Sequence, residues 1–174
     1  MSRGIIFHLT ADPETCGSMG CDDFTDYLNS FHIDWVDDTV KKTSESVLTD
    51  LKNQLMDAGF AIIEKPVDEY GDPLPNVAFA IAAMTEDALQ EAKMNFFRYA
   101  FTRFQKVAAE VTLKDFATDT SVAYELRNMV DDTFEDLIYY DEGCGAYPNS
   151  KDRTIRVLLP NTIYYVSDNT IYMH

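Results

Sequence analysis

The sequence predicts an α+β fold: one compact domain in which helices pack on small antiparallel sheets, with a β-meander at the C-terminal end. Three observations point there. Short apolar, β-rich runs occur at the start, the middle and the end of the chain. Between them, apolar residues recur at helical spacing. No linker, repeat or low-complexity tract divides the 174 residues, a length that suits a single core. The domain is therefore read as 1–174, with the meander of 150–174 as its most separable part.

"GIIFHLT" (4–10) reads as a buried opening strand, and the turn formers of "ADPETCGSMG" follow it. "CDDFTDYLNSF" (21–31) allows a short helix with acids in its first turn, where the helix dipole favours them. "FHIDWV" (31–36) alternates like a strand. In 44–59, Val47, Leu48, Leu51, Leu55 and Met56 make one helical stripe, and Gly59 is placed to end it. "FAIIEKPV" and "NVAFAIAAM" form a hairpin across the Gly/Pro loop 68–76. Thr85 caps a helix running to about Val111, whose aromatic residues predict extensive burial. "LKDFATDT" breaks the periodicity. A helix capped by Asp119 or Thr120 then carries Val122, Leu126, Met129, Val130, Phe134, Leu137 and Ile138 on one side. "RTIRVLLP", "TIYYVS" and "TIYMH", joined by "PN" and "SDN", supply the meander.

Charge is the outlier. Thirty acids against fourteen bases give a net charge of −16, while 46% apolar residues place the chain among globular proteins rather than acidic disordered tails. Segments 1–40, 41–92 and 117–150 carry −7, −6 and −7, and only 93–116 (+3) and 151–174 (+1) are positive. This balance disfavours direct binding to nucleic acid or anionic membranes and favours a basic protein partner. No stretch resembles a signal peptide or a membrane span, and three cysteines, an odd number, point to a reducing cytoplasm rather than a disulfide framework.

"DDTFEDLIYYDE" (131–142) concentrates six carboxylates with no base among them. On a helix continuing through 138, Asp131, Asp132 and Glu135 point away from the apolar side, with Asp136 on the flank. A solvated helix face is the plain explanation. Against it stand the pairs 131/135 and 132/136, like charges four apart that each destabilise a helix by roughly 0.2–0.5 kcal/mol. Four carboxylates over about 7.5 Å of helix approach the charge density of duplex DNA. The candidate partner-binding residues are therefore Asp131, Asp132, Glu135, Asp136, Asp141 and Glu142, joined by Asp22, Asp23, Asp26, Asp34, Asp37 and Asp38. The expected function is non-enzymatic inhibition of a cationic nucleic-acid-binding protein or nuclease by charge mimicry. In size and charge the chain is similar to small acidic phage and mobile-element proteins that inhibit restriction or CRISPR nucleases, although no motif matches any such family.

Two alternatives remain: a small metal-dependent or acid/base enzyme built on the N-terminal His8, Cys16, Cys21, Asp22 and His32, or an accessory protein acidic only for solubility. Cys16 and Cys21 lack a second pair at zinc-ligand spacing, "DEYGDPLPN" lacks the calcium-loop ligand pattern, and no nucleophile or phosphate-loop motif occurs, so no metal or cofactor is expected. Arg98 and Arg103 interleave with rings in "NFFRYAFTRF", a pattern read as core packing with internal ion pairs. The C-terminal strands, with adjacent Tyr164 and Tyr165, offer an edge for homodimer pairing. Because screening shortens carboxylate repulsion to about 10 Å at 0.1 M salt, the melting temperature is expected to rise from low to moderate ionic strength. A steady fall in a thermal-melt salt series would show that the acids are paired with bases.

Overall fold

The computed structural model describes residues 5–17, 41–130, 136–139 and 147–172. It is an α+β structure. Its sheet is built from β1 (Ile5–Thr10), β2 (Lys41–Lys42), β3 (Ile62–Ile63), β4 (Val77–Ile81), β5 (Asp136–Tyr139), β6 (Tyr147–Ser150) and β7 (Tyr164–Tyr172). The order is β3-β4-β7-β1-β5-β6, with β2 also paired to β7. Pairings are antiparallel except β1 with β5, where Phe7 lies opposite Leu137 and Leu9 opposite Tyr139.

The helices are α1 (Glu45–Ala58), α2 (Glu86–Glu110), α3 (Leu113–Thr118), α4 (Thr120–Val130) and α5 (Lys151–Val157), and a 3-10 turn spans Pro13–Gly17. The core forms where one face of the sheet, carrying Phe7, Leu9, Phe79, Ile81, Tyr164 and Val166, meets Leu51, Leu55 and Ala58 of α1. Leu89 and Ala92 of α2, and Ile155 of α5 with the following Leu158, complete it. Four consecutive residues of β1, Phe7 to Thr10, are buried. Alternation sends Phe7 and Leu9 into the core and His8 and Thr10 to the opposite face, which explains the unbroken apolar reading of the strand.

Local signals set several elements as predicted. α1 ends in a Schellman motif: the Gly59 amide donates to the Met56 carbonyl (2.9 Å) and the Phe60 amide to the Leu55 carbonyl (3.0 Å). Gly59 adopts φ 100°, and Phe60 follows it directly into the core. Thr85 caps α2 by accepting from the Ala88 amide at 3.3 Å. The hairpin β3–β4 pairs Ile62 with Ile81 and Ile63 with Ala80.

Tertiary pairing overrode local pattern elsewhere. The helix read through 138 gives way: α4 is described to Val130, and Asp136–Tyr139 is a strand beside β1. The spacing of Leu137 and Ile138 suits either state, and a partner strand decides. "LKDFAT" is a short helix rather than a break, with Thr112 and Asp115 forming a reciprocal capping box. Residues 151–157 are helix rather than strand, because Ile155 and Leu158, one turn apart, both enter the core. "SDN" is an irregularity inside one nine-residue strand, so the C-terminal meander is replaced by α5 and β7. There, Ser167 Oγ accepts from the Asn169 amide (3.1 Å) and donates to the Cys16 carbonyl (2.8 Å). The turn propensity of these residues is spent on a bulge.

α2 is not extensively buried. Its buried residues, Leu89 and Ala92, lie in the first two turns, Phe96 and Phe97 are half-buried against the core, and Tyr99 (80%) and Phe101 (58%) are exposed. The readings of 21–31 as helix and 31–36 as strand lie outside the described residues. Among the described residues no helix is long and apolar enough to cross a membrane.

Replacing Gly59 with Ala is expected to lower stability by about 1–2 kcal/mol, the cost of a left-handed residue bearing a Cβ. No neighbouring atom lies within 4 Å of that Cβ, so the loss is backbone strain alone. Urea unfolding of G59A against wild type measures it.

Candidate functional site

Of the twelve acids singled out in the sequence, only Asp136 falls in the described structure; Asp22, Asp23, Asp26, Asp34, Asp37, Asp38, Asp131, Asp132, Glu135, Asp141 and Glu142 lie outside it. Asp136 opens β5 opposite Ser150 of β6. It is therefore not on a helical face shared with Asp132, and a strand rises about 3.3 Å per residue instead of 1.5 Å. The helical charge density calculated for 131–136 does not apply to Asp136.

The acids that are described face solvent. Seventeen have described side chains; fourteen are exposed and none is buried. Ion pairs among the described residues are Lys42–Asp168 and Lys52–Glu64. The bases of α2 do not draw the acids in. Arg98 donates to the Asn95 side chain (3.1 Å), and the Lys93 ammonium donates to the carbonyls of Arg156 (2.9 Å) and Leu158 (2.6 Å) at the end of α5. That position suits a cation near exposed helix carbonyls. The Arg156 guanidinium lies 4.5 Å from the centre of the Phe97 ring.

One concavity combines this acidity with apolar surface. A cleft of about 350 Å³ runs along α1, lined by Phe7, Val47, Leu51, Asp50, Asn53, Gln54 and Asp57. Phe7 and Leu51 are buried and Val47 half-buried, whereas the two carboxylates and two amides are exposed. The helix brings them together because positions 47, 50, 51, 54 and 57 recur on neighbouring turns. Apolar walls with carboxylates at the mouth suit the alkyl stem and charged head of a Lys or Arg side chain. The sequence reading used Val47 and Leu51 as core stripe and passed over the acids beside them.

The N-terminal His/Cys/Asp region is differently built. His8 is buried on β1, and desolvation lowers its pKa to about 4. Cys16 is fully buried in the 3-10 turn. Burial, reinforced by Asp168 and Asp12, pushes its thiol up to about 12. Thr15 Oγ1 donates to Thr10 Oγ1 at 2.7 Å, and the Asp12 amide donates to the same Thr10 oxygen at 3.1 Å. A neutral imidazole and a protonated thiol beneath a hydrogen-bonded turn are a poor base and a poor nucleophile. Cys21, His32 and Asp22 lie outside the described residues. Among the described residues no group of three or more His, Cys, Asp or Glu is placed to hold a metal ion. In loop 68–76, Asp68 Oδ1 accepts from the amides of Tyr70 (2.8 Å) and Asp72 (2.9 Å), so this carboxylate organises the turn.

β7 lies between β1 on one side and β4 and β2 on the other. Tyr164–Ser167 pair with β4 and Asn169–Thr170 with β2, while Tyr165, Val166 and Thr170–Tyr172 pair with β1. Tyr164 is buried and Tyr165 half-buried.

The depressed His8 pKa has a pH signature. Between pH 6.5 and about 4 the unfolded chain binds a proton that the folded chain refuses, so stability falls as pH drops through that window. At about 1.4 kcal/mol per unit the full loss is about 3 kcal/mol. Denaturant unfolding of wild type and H8L at pH 7, 5.5 and 4 is expected to show this extra loss only in wild type; parallel curves would mean that His8 does not titrate so. No known protein family, curated protein or solved structure matches the chain.

Proposed function

We propose that this is a cytoplasmic, non-enzymatic binding protein that occupies the cationic surface of a nucleic-acid-handling protein and inhibits it, with its carboxylates standing where phosphates would bind. One observation carries the reading: fourteen of the seventeen described acids are exposed and most are without ion pairs, on a chain of net charge −16 that still maintains an apolar core. A folded protein that keeps such a field tolerates self-repulsion, and complementary fields accelerate association with a basic partner. The cleft on α1 adds a place where a protruding Lys or Arg of that partner can lodge between Asp50 and Asp57. Asp131, Asp132, Glu135, Asp136, Asp141 and Glu142, with the N-terminal acids, extend the same anionic surface in this reading.

The test begins with affinity capture from cell extract, followed by assay of the captured enzyme on DNA or RNA. Inhibition relieved by heparin or duplex DNA supports charge mimicry; capture of metabolic enzymes alone rejects it. With the partner in hand, D50N/D57N and the quadruple variant D131N/D132N/E135Q/D136N are each expected to weaken binding. They should also flatten its salt dependence, since fewer charged contacts remain to be screened. Unchanged affinity and salt slope in both variants would move the interface to Asp22, Asp23, Asp26, Asp34, Asp37 and Asp38. Acidity that serves solubility alone would leave every one of these measurements flat.

A further inference from the structure

The cleft on α1 is ordered along its length as well as across its width. Phe7 and Leu51 are buried in its apolar wall with half-buried Val47, and Asp50 and Asp57 are exposed at its mouth. Asp57 follows Asp50 by seven positions. At about 1.5 Å per residue the two lie about 10.5 Å apart along the helix axis. A drift of only about 20° per heptad keeps them on one line of the helix. Leu51 and Gln54 sit at heights between them.

No base of this chain answers either carboxylate among the described residues, where the ion pairs are Lys42–Asp168 and Lys52–Glu64. Lys52, the one base of α1, is two positions from Asp50 and so on the opposite side of the helix. The cleft thus offers two unanswered anionic ends with apolar surface between them.

That order selects the occupant. A single ammonium or guanidinium head meets one carboxylate at a time. A run of methylenes with a cation at each end meets both, and lays its apolar length on Leu51 and Phe7 as a lysine stem lies on apolar surface. The volume, about 350 Å³, is at the small end of the roughly 300–1,000 Å³ of small-molecule sites. It favours a slender chain over a peptide backbone carrying two basic side chains.

We propose that the α1 cleft binds a linear aliphatic diamine, its two ammonium groups paired with Asp50 and Asp57 and its methylenes covering Phe7, Val47 and Leu51. The Asn53 amide oxygen, in the same lining, is a further acceptor for an ammonium proton. The inference rests on the charge complementarity that the functional reading also uses, with a free small molecule in place of a partner's side chain.

The test is a titration of the full chain followed through its amide NMR signals. At about 0.15 M salt, attraction to the −16 chain as a whole is screened beyond about 8 Å. The probes are diaminobutane, diaminohexane, diaminooctane and octylamine. Affinity is expected to rise with diamine length and to be lower for octylamine, which has the length but one cation. The shifts should saturate at a single site on residues 47–57. D50N and D57N should each weaken diaminooctane binding roughly two- to five-fold, as loss of one exposed ion pair does. E91Q/E110Q, which removes two exposed carboxylates of α2, should leave it unchanged. Adventitious counter-ion binding only would favour the shortest diamine, spread the shifts over the acidic surface and weaken equally in D50N/D57N and E91Q/E110Q. Any of those outcomes overturns the proposal, as does undiminished binding to D50N/D57N. No partner protein enters this measurement, so its failure leaves the functional reading to the capture experiment, and failed capture leaves the titration to stand.

Discussion

The sheet depends on the pairing of β7. This strand runs antiparallel to β1 along one side, from Ile5 opposite Tyr172 to Thr10 opposite Tyr165, and to β4 and β2 along the other. Removing it would leave the two-stranded β3–β4 and the three-stranded β1–β5–β6 as separate fragments, the first of them marginal on its own. The bulge at Ser167–Asn169 lets one strand serve partners of different register. It is also where the 3-10 turn is tied down through Ser167 and Cys16, and where the Asp168 carbonyl accepts from the Thr43 amide just before α1. Such pairing joins residues remote in sequence, so much of the loop-closure entropy falls on a few contacts.

That dependence explains which parts of the structure were legible in the sequence. Gly59, Thr85 and the loop 68–76 act through neighbours a few residues away, and each was read from residue type alone. Leu137 and Ile138 were misread because their strand is set by its neighbours, β1 about 130 positions earlier and β6 on the other side, rather than by local spacing. The 153–158 run failed in the opposite direction: β-branched residues sit in a helix because Ile155 and Leu158 have a core to fill. "SDN" carried a true signal of irregular backbone, and only its setting inside a strand was hidden.

The candidate site was legible as a field rather than as positions. Net charge and its segregation along the chain follow from composition, and the exposure of the described acids agrees with them. A concavity does not follow from composition, because the cleft needs Phe7 beneath a helix that starts almost forty residues later. The aromatic helix shows the limit of counting rings. Phe96 and Phe97, in edge contact at 5.1 Å between centroids, reach the core, whereas Tyr99 and Phe101, within one turn of them, do not.

Lys93 marks a boundary within α2. On its N-terminal side, Leu89 and Ala92 tie the helix to the core, and Lys93 itself grips the last carbonyls of α5. Beyond it, the described helix has no buried anchor. A continuous ladder of hydrogen bonds therefore spans two regimes of protection. Amides of the turns that carry Leu89 and Ala92 are expected to exchange most slowly, and those after Arg98 to open by local fraying. In hydrogen-exchange terms, α2 is one helix by geometry and two by stability.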